Sequence, residues 1–242
     1  MVPVIGENNE RDGNGDETSC IIIFVKFPEP GKVKTRLSPP LTPEQAAELY
    51  RCMVLDHLDT LDSLDIPTRI FFTPADSRER CKEWLGADLT YLPQEGGDLG
   101  ERMANAFTTI FEKGYDRVVL VGSDIPQLTT MVFIEAFEAL ESHDAVIGPT
   151  MDGGYYLIGF REETFLPEVF EGISWSSENV FDETTHILSN NVQTAHLLSP
   201  LNDIDTIQDL NELSEHSANS PFLRSQTLKH FHSIFHSGND FK

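Results

Sequence analysis

Apolar and polar positions divide the chain into short buried runs and longer amphipathic stretches. "CIIIFVKF" (20–27) is an unbroken apolar run rich in β-branched residues and predicts a buried strand. "TRIFFT" (68–73), "TYLPQ" (90–94), "DAVIGP" (144–149) and "YYLIGF" (155–160) predict further strands, and "VQTAHLL" (192–198) an edge strand. "RVVLVG" (117–122) is apolar throughout, as a central parallel strand must be. Between these runs the period lengthens. In "TPEQAAELYRCMVLDHLDTL" (42–61), Ala46, Leu49, Met53, Leu58 and Leu61 line one face, and Thr42, Pro43 and Gln45 make a capping-box start. In "GDLGERMANAFTTIFEKG" (97–114), Leu99, Met103, Phe107, Ile110 and Phe111 recur at helical spacing up to a stop at Gly114. Shorter helices are predicted over 77–85, 129–140 and 176–190, another opens at 205, and the tail from Phe222 can add one more. Strand and helix alternate nearly to the end. The expectation is an α/β fold, a three-layer sandwich with a mostly parallel central sheet. Such sheets take ligands outside the carboxyl ends of their strands.

Composition narrows the class. Residues 1–18 are polar and rich in Gly, Asn, Asp and Glu, which reads as a disordered lead-in before a single domain over 19–242. The 39% hydrophobic content is enough for a real core. No run of about 18 apolar residues is present, and the start lacks a signal-peptide pattern. Cys20, Cys52 and Cys81 are widely spaced, without metal-ligand spacing, and suit buried thiols in a reducing cytoplasm. With 17 Lys and Arg against 40 Asp and Glu, the formal net charge of -23 argues against nucleic acid or an anionic membrane as partner. The acidity fits a saline habitat or an ordinary acidic cytosolic protein equally.

Against that balance, "KFPEPGKVKTRL" (26–37) is anomalous. It holds Lys26, Lys32, Lys34 and Arg36 and only one acid, Glu29, and it leaves the carboxyl end of the first strand. Gly31 admits a close anion, and Arg36 can bind phosphate through two parallel hydrogen bonds. The alternative is a solvated basic patch. Asp124, in "GSDIPQL", ends the central strand as a divalent-metal ligand would, or else forms a helix N-cap or an Asx turn. Asp152-Gly153-Gly154 is a hairpin turn or a substrate-facing loop in which Asp152 meets hydroxyl groups or metal. Asp203 and Asp205 alternate along an extended stretch and so point the same way. Either could join Asp124 on a metal, and Asp205 could instead cap the next helix, with Gln208 as box partner.

Taken in order, "FVKFPEPGKVKTRL", "GDLGERM", "GSDIPQL", "GPTMDGGYYLIG", "ISWSSENV" and "DIDTIQDL" resemble the GT-A-fold, nucleotide-diphospho-sugar transferase superfamily, and within it the "transferase 1" group, DUF2064, associated with radical-SAM and selenium-domain proteins. The group is similar to 2-phospholactate guanylyltransferase. The resemblance implies that Lys26, Gly31, Lys32, Lys34 and Arg36 hold nucleotide phosphates and that Gln94, Asp98 and Gly100 lie by the base. It puts Mg²⁺ or Mn²⁺ on Asp124 and Asp205, with Asp203 as the substitute. Asp152, Gly153, Gly154, Tyr155, Trp175 and Ser176 would line the acceptor side, although Trp175 could equally be core.

Two departures from the wider superfamily stand out. The metal strand ends in Gly-Ser-Asp rather than Asp-x-Asp, and Pro-Gly-Lys-Val-Lys-Thr-Arg replaces a Gly-x-Gly-Thr-Arg loop. One acid and a cationic loop favour a triphosphate over a sugar diphosphate. The leading expectation is a metal-dependent nucleotidyltransferase that joins a nucleotide to a small-molecule acceptor, with Lys34, Arg36 and Asp152 in catalytic positions. A glycosyltransferase with a nucleotide-sugar donor, Asp152 then serving as base, and a non-catalytic nucleotide-sugar-binding module are the alternatives.

Overall fold

The computed structural model describes residues 18–191, 193–217 and 220–236. Apart from Thr18, the expected lead-in lies outside the described residues, as does Val192 of the expected edge strand. Seven strands form one sheet: β1 (Ser19–Lys26), β2 (Thr68–Thr73), β3 (Thr90–Pro93), β4 (Arg117–Val121), β5 (Ala145–Pro149), β6 (Tyr155–Arg161) and β7 (Ala195–Leu197). Their order is β3-β2-β1-β4-β6-β5-β7, and only β6 runs antiparallel to its neighbours. The sheet is thus mostly parallel, as its near-continuous apolar strands require.

Successive residues of β1 serve opposite faces. Ile21, Ile23 and Val25 join Ala47, Tyr50 and Val54 of α1 (Pro43–Asp62), Cys81 of α2 (Arg78–Leu85) and Phe133 of α4 (Thr130–Ala139). Cys20, Ile22 and Phe24 join Met103 and Phe107 of α3 (Leu99–Phe111) and Leu188 of α5 (Val180–Asn190). A third cluster packs Leu37, the last residue of the basic loop, and Leu41 against α1, α6 (Ile207–His216) and α7 (Gln226–His236). It fixes the loop relative to the segment before α6. No helix among the described residues is long and apolar enough to cross a membrane.

The α1 capping box forms as expected, with Thr42 accepting from Gln45 N. Other starts differ. Asp98 caps α3, which begins at Leu99 rather than Gly97. The cap of α6 is Thr206 with Asp209 as its box partner, not Asp205 with Gln208, because the Asp205 carboxylate is held by two cations instead. The stretch 176–179 is loop: Glu183 accepts from Ser174 N at 2.7 Å, Phe181 N donates to Gly153 O at 2.8 Å, and Ser176 adopts φ +70°. The first bond ties the loop to α5, and the second ties the start of α5 to the β5–β6 turn.

Candidate active site

A cleft of about 830 Å³ opens at the carboxyl ends of β1 and β4, with Phe24 and Leu120 among its lining residues. Lys26, Arg36, Asp124 and Asp205 line it together with Asp152, Tyr155, Trp175 and Ser176. A smaller recess of about 170 Å³ adjoins it, lined by Asp124, Asp152 and Asp203. Loops distant in sequence therefore converge where the topology directs a ligand. Tyr50 on α1 ties the rim together: its hydroxyl accepts from Lys26 N at 3.1 Å and shares a hydrogen bond with Ser123 Oγ at 2.7 Å.

The basic loop divides into three parts. Lys26 lines the cleft and has no ion-pair partner among the described residues. Lys32 turns outward and pairs with Glu29 at 2.7 Å, and Gly31 sits in open space at φ +76°. Lys34 turns inward. Its backbone is left-handed, at φ 46° and ψ 42°, and its side chain is 4% exposed. The ammonium lies 2.6 Å from Asp124 Oδ1 and 3.1 Å from Asp205 Oδ1, and donates to Ile204 O at 2.6 Å. All three of its donors are thereby used. Arg36 Nη1 lies 2.9 Å from Asp205 Oδ2.

The electrostatics follow from this packing. Burial alone would lower the Lys34 pKa, but Asp124 and Asp205 outweigh it and raise it. Burial would raise Asp205, but Lys34 and Arg36 hold it below the usual carboxylate range. Asp203 is pushed up to about 6, by burial and by the nearby carboxylates Asp205 and Asp152. The two acids assigned to metal by the resemblance thus share an ammonium, while Asp203 shares the recess with Asp124 and Asp152. Among the described residues no three His, Cys, Asp or Glu side chains are grouped as a ready metal cage.

The three residues expected beside the base have structural duties. Gln94 Nε2 donates to Phe71 O at 2.8 Å and to Val25 O at 3.4 Å, closing the ends of β2 and β1. Asp98 Oδ1 accepts from Glu101 N at 2.9 Å. A Cβ on Gly100 would meet Phe170 O at 2.5 Å and Trp175 Cζ2 at 2.8 Å, so the glycine lets Trp175 close on α3. Trp175 is neither fully core nor free: it is half-buried, packed on Gly100, and lines the cleft.

On the opposite side, Asp152 Oδ1 accepts from Thr150 Oγ1 at 2.5 Å and from Gly154 N at 3.2 Å, and Oδ2 has no partner among the described residues. Gly153, at φ +91°, approaches so closely that a Cβ would fall 2.0 Å from Glu178 O. Tyr155 packs with its hydroxyl toward Met103 Sδ at 4.0 Å.

Sequence reasoning missed Tyr50, Arg102 and Glu178, which all bear on the cleft. Arg102 lies inside the quoted "GDLGERM" stretch, three residues beyond Leu99, so helical spacing already put it near the lining side. Tyr50 reads as one more core residue of α1, and no local signal marks it.

Residues 56–177 match the family described as "Uncharacterized protein conserved in bacteria (DUF2064)". A crystal structure of a Desulfovibrio desulfuricans G20 protein, assigned to the nucleotide-diphospho-sugar transferases, is 44% identical, with a TM-score of 0.88 over 90% of this chain and 96% of that one. The 2-phospho-L-lactate guanylyltransferase of Methanocaldococcus jannaschii is 26% identical over 185 residues, 76% of this chain and 78% of its own. The 4-diphosphocytidyl-2C-methyl-D-erythritol synthase of Anaerococcus prevotii DSM 20548 shares the fold alone, at 11% identity and a TM-score of 0.54 over 82% and 97% of the two chains. From the matched segment and the close likeness along nearly the whole chain, the protein belongs to the DUF2064 family.

Proposed function

We propose that this protein is a nucleotide-utilising transferase that moves a nucleotidyl group from a nucleoside triphosphate to the phosphate of a small-molecule acceptor. The observation that carries the reading is one cleft in which Lys26 and Arg36 stand with Asp124 and Asp152 at the carboxyl edge of the sheet. Similarity to a protein named for guanylyl transfer to 2-phospho-L-lactate supports a phosphorylated acceptor.

In this reading an acceptor phosphate oxygen attacks the α-phosphorus. A new phosphorus–oxygen bond forms as the bond to the β-phosphate bridge breaks, and pyrophosphate leaves. Lys26 and Arg36 bind the phosphates and offset charge as it moves to the leaving group. Lys34 does not touch the ligand; it sets the orientation of Asp124 and Asp205. Asp152 lies on the acceptor side. The attacking phosphate is already an anion, so no general base is needed.

A carboxylate-lined recess suits a hard divalent cation. Asp124, Asp152 and Asp203 line it without closing into a ready cage, and the Asp152 carboxylate adds to the burial that raises Asp203. These three, rather than the Asp124 and Asp205 pair that Lys34 bridges, would hold Mg²⁺ or Mn²⁺. When bound, the ion would supply charge neutralisation on phosphate oxygens.

The test is turnover with each nucleoside triphosphate and a panel of phosphorylated small acids, followed by phosphorus NMR. Release of pyrophosphate with a new diphosphate product supports the proposal. Release of a nucleoside diphosphate from a nucleotide sugar would replace it with glycosyl transfer. Binding without any product would leave a sensing module.

A further inference from the structure

We propose that Arg102 reads the nucleobase, selecting guanine by its O6 and N7 edge; the inference rests on the nucleotidyl-transfer reading above. The sheet order sets Gln94, Thr73 and Lys26 side by side along the carboxyl edge, with Asp124 and then Tyr155 beyond them. The carboxylates lining the cleft, namely Asp124, Asp152, Glu178 and Asp205, all belong to β4 and later segments. Among the described residues that line the cleft, the β2–β3 end contributes no carboxylate, and Arg102 is the charged one there, with Glu95, Asp98 and Glu101 outside the lining.

Its geometry is built rather than incidental. Gly100 faces Trp175, and two residues on, about 200° around the helix, Arg102 faces the 95–97 loop. Each residue of that loop is tied to α3. Asn105 Nδ2 donates to Glu95 O at 2.9 Å, Arg102 Nε to Gly96 O at 3.1 Å, and Gly97 N to Glu101 Oε2 at 2.7 Å. A Cβ on Gly96 would meet Arg102 N at 2.7 Å, so the loop lies directly on the helix backbone. The Nε anchor holds the guanidinium against the 95–97 loop. Its two Nη groups have no hydrogen-bond or ion-pair partner among the described residues. In a chain of net charge -23, the cleft's other guanidinium, Arg36, is already paired.

A half-buried, oriented fork of donors calls for two adjacent acceptors. Guanine offers O6 beside N7, whereas adenine sets an N–H donor beside N7 and would meet donor with donor. Cytosine also has adjacent acceptors, O2 and N3, but O2 lies next to the glycosidic bond. Guanine O6 lies at the far edge of the base, as suits a residue at the end of the cleft away from Asp124.

The experiment is calorimetric titration, with Mg²⁺, of GTP, 7-deaza-GTP, ATP, CTP and inorganic triphosphate into wild type, Arg102→Gln and Arg102→Lys, after thermal melts confirm folding. The wild type is expected to bind GTP ten- to a hundredfold more tightly than ATP or 7-deaza-GTP. Arg102→Gln should close both gaps by weakening GTP alone, and Arg102→Lys should recover only part, since one ammonium cannot span both acceptors. Equal weakening of every ligand, inorganic triphosphate included, would make Arg102 a phosphate contact and overturn the inference. So would equal wild-type affinity for GTP and 7-deaza-GTP, or a preference for CTP that Arg102→Gln removes. A wild type that binds none of these nucleotides would overturn the nucleotidyl-transfer reading along with it.

Discussion

The ammonium of Lys34 lies 2.6 Å from Asp124 Oδ1, at the meeting point of the first strand's loop and the central strand's end. The same ammonium is 3.1 Å from Asp205, so one buried cation ties together two carboxylates 81 residues apart (205 − 124). Ile204 N donates to Asp124 O at 3.0 Å and closes the same junction through the backbone. Lys34 is thus a structural cation beneath the cleft, and its left-handed backbone is the strain that puts it there.

Lys34→Met keeps the stem and removes the charge. The Asp124 and Asp205 side chains are 54% and 31% exposed, so both carboxylates can partly rehydrate. We therefore expect a loss of about 1–3 kcal/mol, less than the roughly 3–5 kcal/mol of breaking a fully buried pair. Urea unfolding measures it. Triphosphate affinity should fall in Mg²⁺ but hold in EDTA if, as proposed, Lys34 acts through Asp124 and not on the ligand. An equal fall in both media would put Lys34 on the phosphate.

Asp205→Asn and Thr206→Ala separate charge from capping. Thr206 is the residue that caps α6, so Thr206→Ala should cost about 1 kcal/mol and leave nucleotide affinity unchanged. Asp205→Asn leaves the cap intact and releases Arg36, so metal-free affinity for triphosphate should rise severalfold. A fall in that affinity, read by calorimetry in EDTA, would show that Arg36 needs Asp205 to be positioned.

Gly100→Ala drives a methyl group into Phe170 O and the Trp175 ring. Because one obstacle is backbone, the expected cost is about 1–3 kcal/mol. Trp175 should also shift, seen as a change in tryptophan fluorescence in the folded state. An unchanged melt and spectrum would mean that the 171–179 loop yields freely.

His57 on α1 is 1% exposed, has no hydrogen-bond partner at Nε2 among the described residues, and lies in the field of both Asp124 and Lys34. Burial lowers its pKa from an ordinary 6.5 to about 4, with Lys34 adding to the fall and Asp124 opposing it. The unfolded chain therefore takes up a proton between these values while the native state does not. The sign is a loss of stability as pH falls from about 6.5 toward 4, on the order of 3 kcal/mol in total. His57→Leu should flatten that part of the pH–stability curve. An identical slope in wild type and variant would assign the acid sensitivity elsewhere.

What the chain reveals without its fold is whatever is settled within a turn or a single strand. "CIIIFVKF" can only be a doubly buried strand, and Thr42-Pro43-Glu44-Gln45 closes its own capping box; both form as the pattern requires. The order of strand and helix also foretells that the loops after β1 and β4 share the ligand edge. Local chemistry is ambiguous where two residues can do one job. Asp205 and Thr206 are both cap formers, and Thr206 takes the role because Lys34, 171 positions away, claims Asp205. Lys26, Lys32, Lys34 and Arg36 look alike in sequence, yet one is outward, one is buried and two line the cleft. Gln94, Asp98 and Gly100 are marked out by their motifs, and the fold adds contacts with Phe71, Glu101 and Trp175 that the motifs do not show, while Gln94 also lines the cleft. Coulomb attraction and close packing act across space without regard to spacing along the chain. The cations' assignments were therefore decided only when β1 and β4 became neighbours in the sheet.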